Sequence, residues 1–401
     1  MPVDNSVARE VTPPGGVRAW WVLAFSGATA AVFVGWYGPL QVLLARQVEG
    51  ISPDGKESAL ALVTGVGAAW SMVANPIWGA LSDRSGRRGP WVLGGAVAGG
   101  GALAALATVD TVLGVVALWS VAQIALNSCF AGLSAAVPDQ VPEHRRGAVG
   151  GWFGFAQTVG VMSGTGLALA GGSVSSGYVA CAVVVVVGSL PFALARERRR
   201  VPVREPARKP FGLLRHRDFV WAWVPRFLIN LGNAVALLYL FYYLQDEVRV
   251  GDPAGGVFTL TAVYAVALLA TVLVGGVWSD RVGKRRVFVC VAGVVMSAAA
   301  VLLAVWPTWT GAVVAAAVLG VGYGAYTSVD FALVTQVLPA AGARGKDLGV
   351  VNIANTLPQV LAPALAAPVV AHLGGYPVLY LVAAAVGVAG AALVFRVRTV
   401  H

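Results

Sequence analysis

The chain has 401 residues, 58% of them hydrophobic and only 11% charged, and its mean hydropathy is +0.76. A soluble protein uses roughly 25% charged residues, so the composition excludes an ordinary soluble domain and points to lipid as the solvent. The formal net charge of +10 would suggest a nucleic-acid partner in a soluble protein, but the placement of the basic residues argues otherwise.

A bilayer-spanning helix needs about 20 mainly apolar residues. Twelve runs meet this requirement in chain order: 18–44, 58–81, 90–109, 111–137, 148–171, 177–195, 219–245, 254–278, 287–306, 309–337, 347–372 and 377–395, here spans 1 to 12. They are too long and continuous for barrel strands, which alternate polar and apolar residues. Helices are expected because backbone polar groups in hydrocarbon must be satisfied within the segment. Span 1 follows the polar stretch MPVDNSVAREVTPPGGVR. It is too long for a signal-peptide core and is read as a retained helix.

Short loops rich in Lys and Arg stay in the cytoplasm. With the N-terminus inside, the 28 basic residues fall in the termini and the even-numbered loops, except Arg46, Lys56, Arg249 and, within a span, Arg226. Both termini are therefore expected in the cytoplasm. The chain is expected to be a multi-pass protein of the cell membrane, in a bacterium the cytoplasmic membrane. The lipid bilayer is its partner, and the positive charge reflects topology rather than nucleic-acid binding. Cys129, Cys181 and Cys290 all lie in apolar spans with no metal or disulfide spacing. No cofactor or metal is expected.

The polar residues within the spans are unevenly spread. Span 1 carries Trp36, Tyr37 and Gln41; span 4, Gln123 and Asn127; span 5, Gln157. Span 7 has Arg226, Asn230 and Asn233, span 10 has Tyr323, Tyr326 and Asp330, and span 11 has Asn352, Asn355 and Gln359. Each of these last three sets falls on one helix face. A polar stripe facing lipid is costly, so the stripes should face one another or water. Interhelical hydrogen bonding explains any single Asn or Thr; three stripes together favour a lined cavity. Spans 3, 6, 9 and 12 are almost wholly Ala, Val, Leu and Gly.

Arg226 and Asp330 are the charged residues within spans. They lie at similar depth, and an ionised group in a span costs roughly 2.5–3.5 kcal/mol on insertion scales, so pairing is expected. Two readings stay open. Asp330 could bind and release a proton as Arg226 approaches and withdraws, or the two could be a static tie between spans 7 and 10.

The chain also repeats itself. Residues 76–91 read PIWGALSDRSGRRGPW and residues 275–286 read GGVWSDRVGKRR, so that Asp83 and Asp280 lie 197 positions apart. Pro142 and Pro339 are also 197 apart, and Arg146 and Arg344 are 198 apart. Between the sixth and seventh spans lies RERRRVPVREPARKPFGLLRHRD, residues 196–218, basic and too polar to span. The expected domains are a six-helix bundle over 1–195, a cytoplasmic loop over 196–218 and a second six-helix bundle over 219–401. An internal repeat of this kind is a transporter signature, with the substrate site at the repeat interface near the midplane.

GALSDRSGRR, residues 79–88, resembles the signature loop of the major facilitator superfamily, and GVWSDRVGKRR, residues 276–286, resembles its second-half copy. The resemblance covers essentially the whole chain. It implies an all-α membrane protein with twelve transmembrane helices in two pseudo-symmetric six-helix bundles. It also implies that Asp83 sits near the start of span 11, where a helix N-terminus favours a carboxylate, flanked by Gly79, Arg84, Gly86, Arg87 and Arg88. Asp280 would face the start of span 5, with Arg281, Gly283, Lys284 and Arg285. Such contacts would close the cytoplasmic side.

GRRGPWVLGG and LGVVNIANTLPQVLAP further resemble the sugar–cation symporter branch. The acidic residues that its sodium-coupled members carry in spans 2 and 4 are missing here, so no sodium site is carried over. The expected function is a monomeric secondary active transporter of a small-molecule substrate, coupled to protons. Sugar or glycoside symport is one outcome; efflux of a drug or natural product is the alternative. A membrane enzyme would need a cluster of catalytic groups, and His144, His216, His372 and His401 are isolated. A channel or scaffold has no feature in its favour.

Overall fold

A computed structural model describes residues 18–195, 217–282, 285–337 and 344–396. Its first helix, α1 (Ala19–Gly38), has no acidic residue in its first turn and no basic residue in its last. The helix does not stop at Pro39. A π-helical stretch over Pro39–Leu43 carries it into α2 (Leu44–Ile51), with the Leu44 N–H bonded to the Pro39 carbonyl five residues back. Pro removes a donor and crowds the preceding turn, and a widened turn absorbs both effects. Span 1 is thus 33 residues long, Ala19–Ile51, and extends past its predicted end.

The following helices are α3 (Lys56–Ser85), α4 (Gly89–Leu106), α5 (Val112–Gln140), α6 (Glu143–Ala170) and α7 (Val174–Ala193). After the central stretch come α8 (Arg217–Leu238), the short α9 (Leu240–Tyr242), α10 (Pro253–Val282), α11 (Arg285–Val305), α12 (Trp309–Val337), α13 (Arg344–His372) and α14 (Gly375–Leu393). Eleven helical spans are long and apolar enough to cross a membrane, and a twelfth counts when one bent pair is taken as a single span. That pair is span 7, predicted as one straight run. It bends by 45° between Phe219–Leu238 and Leu240–Glu247 and ends in a second π-helical stretch, Tyr243–Glu247.

The repeat seen in the loops extends to the helices. Both α3 and α10 have 30 residues, and they begin at 56 and 253, 197 positions apart. Both α5 and α12 have 29, beginning at 112 and 309, again 197 apart. Even their start signals correspond. The Thr111 hydroxyl accepts the Gly114 N–H (3.3 Å) and the Thr308 hydroxyl accepts the Gly311 N–H (3.2 Å), each satisfying a donor that a helix start leaves orphaned.

Neighbour relations repeat as well. In the first part of the chain α5 packs on α3 and α4, α1 on α6 and α7, and α4 on α7. In the second, α12 packs on α10 and α11, α8 on α13 and α14, and α11 on α14. The two sets meet chiefly where α3 lies against α13 and α6 against α10.

Small residues let these helices approach closely, as association in lipid requires. A Cβ on Gly160 of α6 would lie 2.4 Å from the Ala30 carbonyl of α1, and one on Gly320 of α12 would lie 2.4 Å from the Tyr264 carbonyl of α10. Large apolar side chains such as Leu23, Val97, Val187 and Val266 are exposed on the outside of the molecule, as a lipid-facing surface allows.

Overpacking a tight contact costs typically about 1–3 kcal/mol. Gly160→Ala should therefore lower the thermal unfolding midpoint of the detergent-solubilised protein. Gly101→Ala, where a Cβ meets nothing within 4 Å, should not lower it and should raise it slightly, since Ala is the better helix former; a scan of both variants beside the parent checks this.

Candidate functional site

A cavity of about 910 Å³ lies where the two sets of helices meet. Of the residues expected to line it, Tyr37, Gln41, Gln123, Gln157, Asn233, Tyr323 and Gln359 do so. Five others are used elsewhere. Trp36 packs edge-on against Phe33 and tilted against Phe130. Asn127 ties α5 to α3, accepting from Asn75 (3.1 Å) and donating to Ser71 (2.7 Å). Tyr326 is buried in the core around α11 and α12. Asn230 and Asn355 belong to a charged cluster and are not among the lining residues. The side chain of Asn352 lies outside the described residues.

Several lining residues have no distinctive place in the sequence pattern. Phe33 and Phe155 look like any apolar residue of a span, as do the leucines of α10 and α12. Thr64 and Thr261 do carry a signal, because they are 197 positions apart, the same offset as the repeated loops, and both line the cavity.

Gln41 sits in the π-helical stretch after α1, and such bulges are frequent at functional sites. Its amide oxygen accepts from Thr261 of α10 (2.7 Å) and from Thr165 of α6 (3.2 Å). One side chain therefore bonds both sets of helices within the cavity wall.

The charged cluster is centred on Arg226 of α8. Its Nε donates to Asn355 Oδ1 of α13 (3.0 Å), and Asn230 Nδ2 donates to the same oxygen (3.1 Å) and to the Arg226 carbonyl (2.9 Å). Arg226 is not among the residues that line the cavity. Asp330 is in the helical part of α12, but its side chain lies outside the described residues.

At the end opposite the signature loops the cavity is closed by bonds between the two sets of helices. Lys56, at the start of α3, pairs with Glu49 of α2 (3.1 Å) and with Asp246 after α9 (2.9 Å). Its ammonium lies 4.7 Å from the Tyr242 ring centroid, a cation–π geometry. The Tyr376 hydroxyl donates to Asp246 (3.0 Å) and Glu57 (3.3 Å), and Gln245 donates to Glu49. The Tyr239 hydroxyl reaches the Glu57 carbonyl and the Tyr242 hydroxyl reaches the Ala45 carbonyl, both at 2.9 Å. Among the described residues, every hydrogen bond joining the two sets lies here or at Gln41.

The first signature loop is built around Arg88. Only 6% of its side chain is exposed, and its guanidinium pairs with Asp83 of α3 (2.5 Å) and Asp139 of α5 (2.9 Å) and donates to Ser82 (2.6 Å). Burial opposes the charged form, but the hydrogen bond to Asp83 and the charge of Asp139 outweigh it and hold Arg88 above the usual arginine range. Gly86 ends α3 with φ 62°, the left-handed turn that glycine adopts without strain. Arg84 and Arg87 are exposed, and Gly79 is half-buried. Asp83 thus has its partner within its own set of helices. The start of α13, which the loop resemblance gave it as a neighbour, has no described side chains. In the second loop Gly283 and Lys284, and the side chains of Asp280, Arg281 and Arg285, also lie outside the described residues.

Among the described residues no group of three or more His, Cys, Asp or Glu could hold a metal. Many membrane-length helices around a central cavity are the architecture of a membrane transporter. The family model of the Major Facilitator Superfamily matches residues 23–271 and again 251–401, and the chain belongs to that superfamily. Among solved structures it is similar to a mutant form of the nucleoside transporter NupG, with TM-score 0.78 and 13% identity over 94% of this chain and 99% of that one. It is also similar to a bacterial homologue of the human lysosomal transporter Spinster, inward-facing and unoccupied, with TM-score 0.70 and 13% identity over 95% and 96%. No curated protein sequence matches it.

Removing one member of a buried ion pair costs about 3–5 kcal/mol, and in the Arg88–Asp139 pair the two side chains are only 6% and 9% exposed. Arg88→Met should destabilise the protein strongly, while Arg88→Met with Asp139→Leu should recover most of the loss. Thermal unfolding of the two variants reads the difference.

Proposed function

We propose that this protein carries a small organic solute across the cell membrane by alternating access, with proton coupling and a sugar or glycoside as the solute in symport. Residues 1–195 and 219–401 act as two pseudo-symmetric six-helix bundles joined by the cytoplasmic loop 196–218, with both termini in the cytoplasm and the monomer as the working unit. The observation that carries this reading is a cavity at the junction of two repeated helix sets, bonded shut at the end away from the basic loops. On this topology that end is extracellular, and the cavity belongs to the inward-facing half of the cycle.

Similarity in fold to a nucleoside transporter and to an inward-facing Spinster homologue is consistent with small-solute transport. The amide-bearing wall of Gln41, Gln123, Gln157 and Gln359 suits hydroxyl-rich solutes. The aliphatic lining from α10 and α12, Leu260, Leu268 and Leu319 among it, favours the second reading, proton-coupled efflux of a more lipophilic molecule. Thermal stabilisation of the purified protein by a panel of mono- and disaccharides beside lipophilic antibiotics separates the two, because a molecule that binds only the folded state raises its apparent stability. A saccharide hit supports symport; a lipophilic hit with silent sugars supports efflux.

Coupling is assigned to Asp330 and Arg226, with the Arg226–Asn355–Asn230 cluster holding the guanidinium ready. In proteoliposomes Asp330→Asn should lose accumulation driven by a pH gradient and keep exchange of solute between the two sides. Accumulation at the parental level would rule out the coupling role. Lys56→Met should weaken the extracellular closure and lengthen the distance between spin labels at Ser52 and Val250; an unchanged distance distribution would remove Lys56 from the gate.

A further inference from the structure

Within its helices this protein turns most threonine hydroxyls back on their own backbone. Thr29, Thr64, Thr158, Thr165, Thr271 and Thr327 each donate to the carbonyl four residues earlier, at 2.7–3.1 Å. Thr261 of α10 does not. It is buried, and its hydroxyl donates to the Gln41 oxygen of the other helix set at 2.7 Å. A hydroxyl carries one hydrogen, so this bond replaces the local one.

The repeat sharpens the contrast. Thr64, the counterpart of Thr261 at the 197-residue offset, donates to the Leu60 carbonyl of its own helix (2.7 Å). The counterpart of Gln41 is Leu238, which has no amide. The contact is therefore made on one side of the repeat, between α10 and the π-helical stretch that follows α1. Thr261 lies eight residues past Pro253, the start of α10, which puts it roughly 12 Å inside the closed end, whereas Lys56 opens α3. Thr165 gives an internal comparison. Its hydroxyl also lies 3.2 Å from the Gln41 oxygen, but α6 belongs to the same set as α1, and the Val161 carbonyl takes the same hydroxyl at 2.9 Å.

We propose that Gln41 and Thr261 form a latch on the transport cycle, whose bond holds α10 against the first helix set and weights the state in which this end is closed. This rests on the alternating-access reading and adds to it the residues that bias the two states. The bond exists only while the two helices stand together, so its free energy enters one state and not the other, which is the condition for shifting an equilibrium. Neither group is stranded when the latch opens. The Thr261 hydroxyl can turn to the carbonyl one turn back, as the other threonines do. Gln41 keeps Thr165 beside it and faces the cavity. The latch thus favours one state without locking it.

The test is the distance distribution between spin labels at Ser52, after α2, and Val250, before α10. It is read on the full chain in proteoliposomes without solute, in the parent and in a Lys56→Met background that raises the open population. Interhelical hydrogen bonds in membranes are individually modest, so Thr261→Val, which keeps the shape and drops the hydroxyl, should raise the ratio of long to short distances about threefold. Gln41→Leu should do the same, and the double variant should add nothing further, because both changes remove one bond. Thr261→Ser keeps the hydroxyl and should keep the parental ratio. Thr165→Val removes a hydroxyl from the same amide and should leave the ratio in place, a contrast that a general loss of packing would not produce. An unchanged ratio in Thr261→Val overturns the latch, as does an equal shift in Thr165→Val. If Lys56→Met lengthens the distance and Thr261→Val does not, the latch falls and alternating access stands. If no variant moves the distribution, the latch falls and the movement of the two helix sets at this end falls with it.

Discussion

A polar group that this chain carries between the ends of its helices is costly unless it finds a partner inside the protein. Lipid offers no hydrogen bonds, and each unsatisfied group costs several kcal/mol there. That constraint sorts the polar residues into three kinds of place. Some tie neighbouring helices together, as Asn127 does with Asn75 and Ser71. Some gather around the one described charge within a span, as Asn230 and Asn355 do at Arg226. Others line a cavity at the junction of the two helix sets. The threonines reduce their cost locally: Thr64, Thr158 and Thr165 each return a hydrogen bond to a carbonyl one turn back.

The same constraint explains how far the sequence could be read. Helix existence follows from apolar run length, and the repeat follows from charged loops that lipid forbids inside the spans. The 197-residue offset between Asp83 and Asp280 recurs at the starts of α3 and α10, of α5 and α12, and in the Thr111 and Thr308 caps. The site was legible only in part. Gln123 and Asn127 lie one turn apart on α5, equally polar by sequence, yet one lines the cavity and the other faces α3. A stripe identifies a helix face that avoids lipid, and that face can look at a cavity or at a neighbour. The apolar part of the lining was invisible for the opposite reason, because a leucine facing the cavity and a leucine facing lipid obey the same pattern.

The closed end was the least legible feature of all. Glu49, Lys56, Glu57 and Asp246 sit singly in or beside short loops, and the longest of their separations spans half the chain. Nothing local marks Lys56 out, although it is one of the few basic residues on its side of the membrane by the loop count. Its meaning comes from the tertiary arrangement, which brings Glu49 and Asp246 to either side of its ammonium and Tyr242 beneath it.

The two ends of the molecule therefore hold their charges in different ways, and the difference bears on how the protein could move. Arg88, with its side chain 6% exposed, binds carboxylates of α3 and α5, which already pack on each other. Breaking that pair would remove a buried counter-charge, so the unit around it should stay rigid. Lys56, 12% exposed, bridges helices from the two sets, and both of its carboxylate partners are reached by water at 28% and 34% exposure, whereas Arg88 has one partner, Asp139, only 9% exposed beside the 66% exposed Asp83. Where water reaches the carboxylates it can replace part of a lost partner, so such pairs hold less firmly than a fully buried one. A closure built from several such contacts and a few tyrosine hydroxyls can hold one state without trapping it. Strong pairs within a helix set and weak pairs between sets are what a rigid-body movement of the two sets requires. Gln41 then occupies a particular place, since its bond to Thr261 is the cross-set contact that lies in the cavity wall itself. Any separation of α10 from the first set must break that bond, and a ligand in contact with the same amide would feel the break.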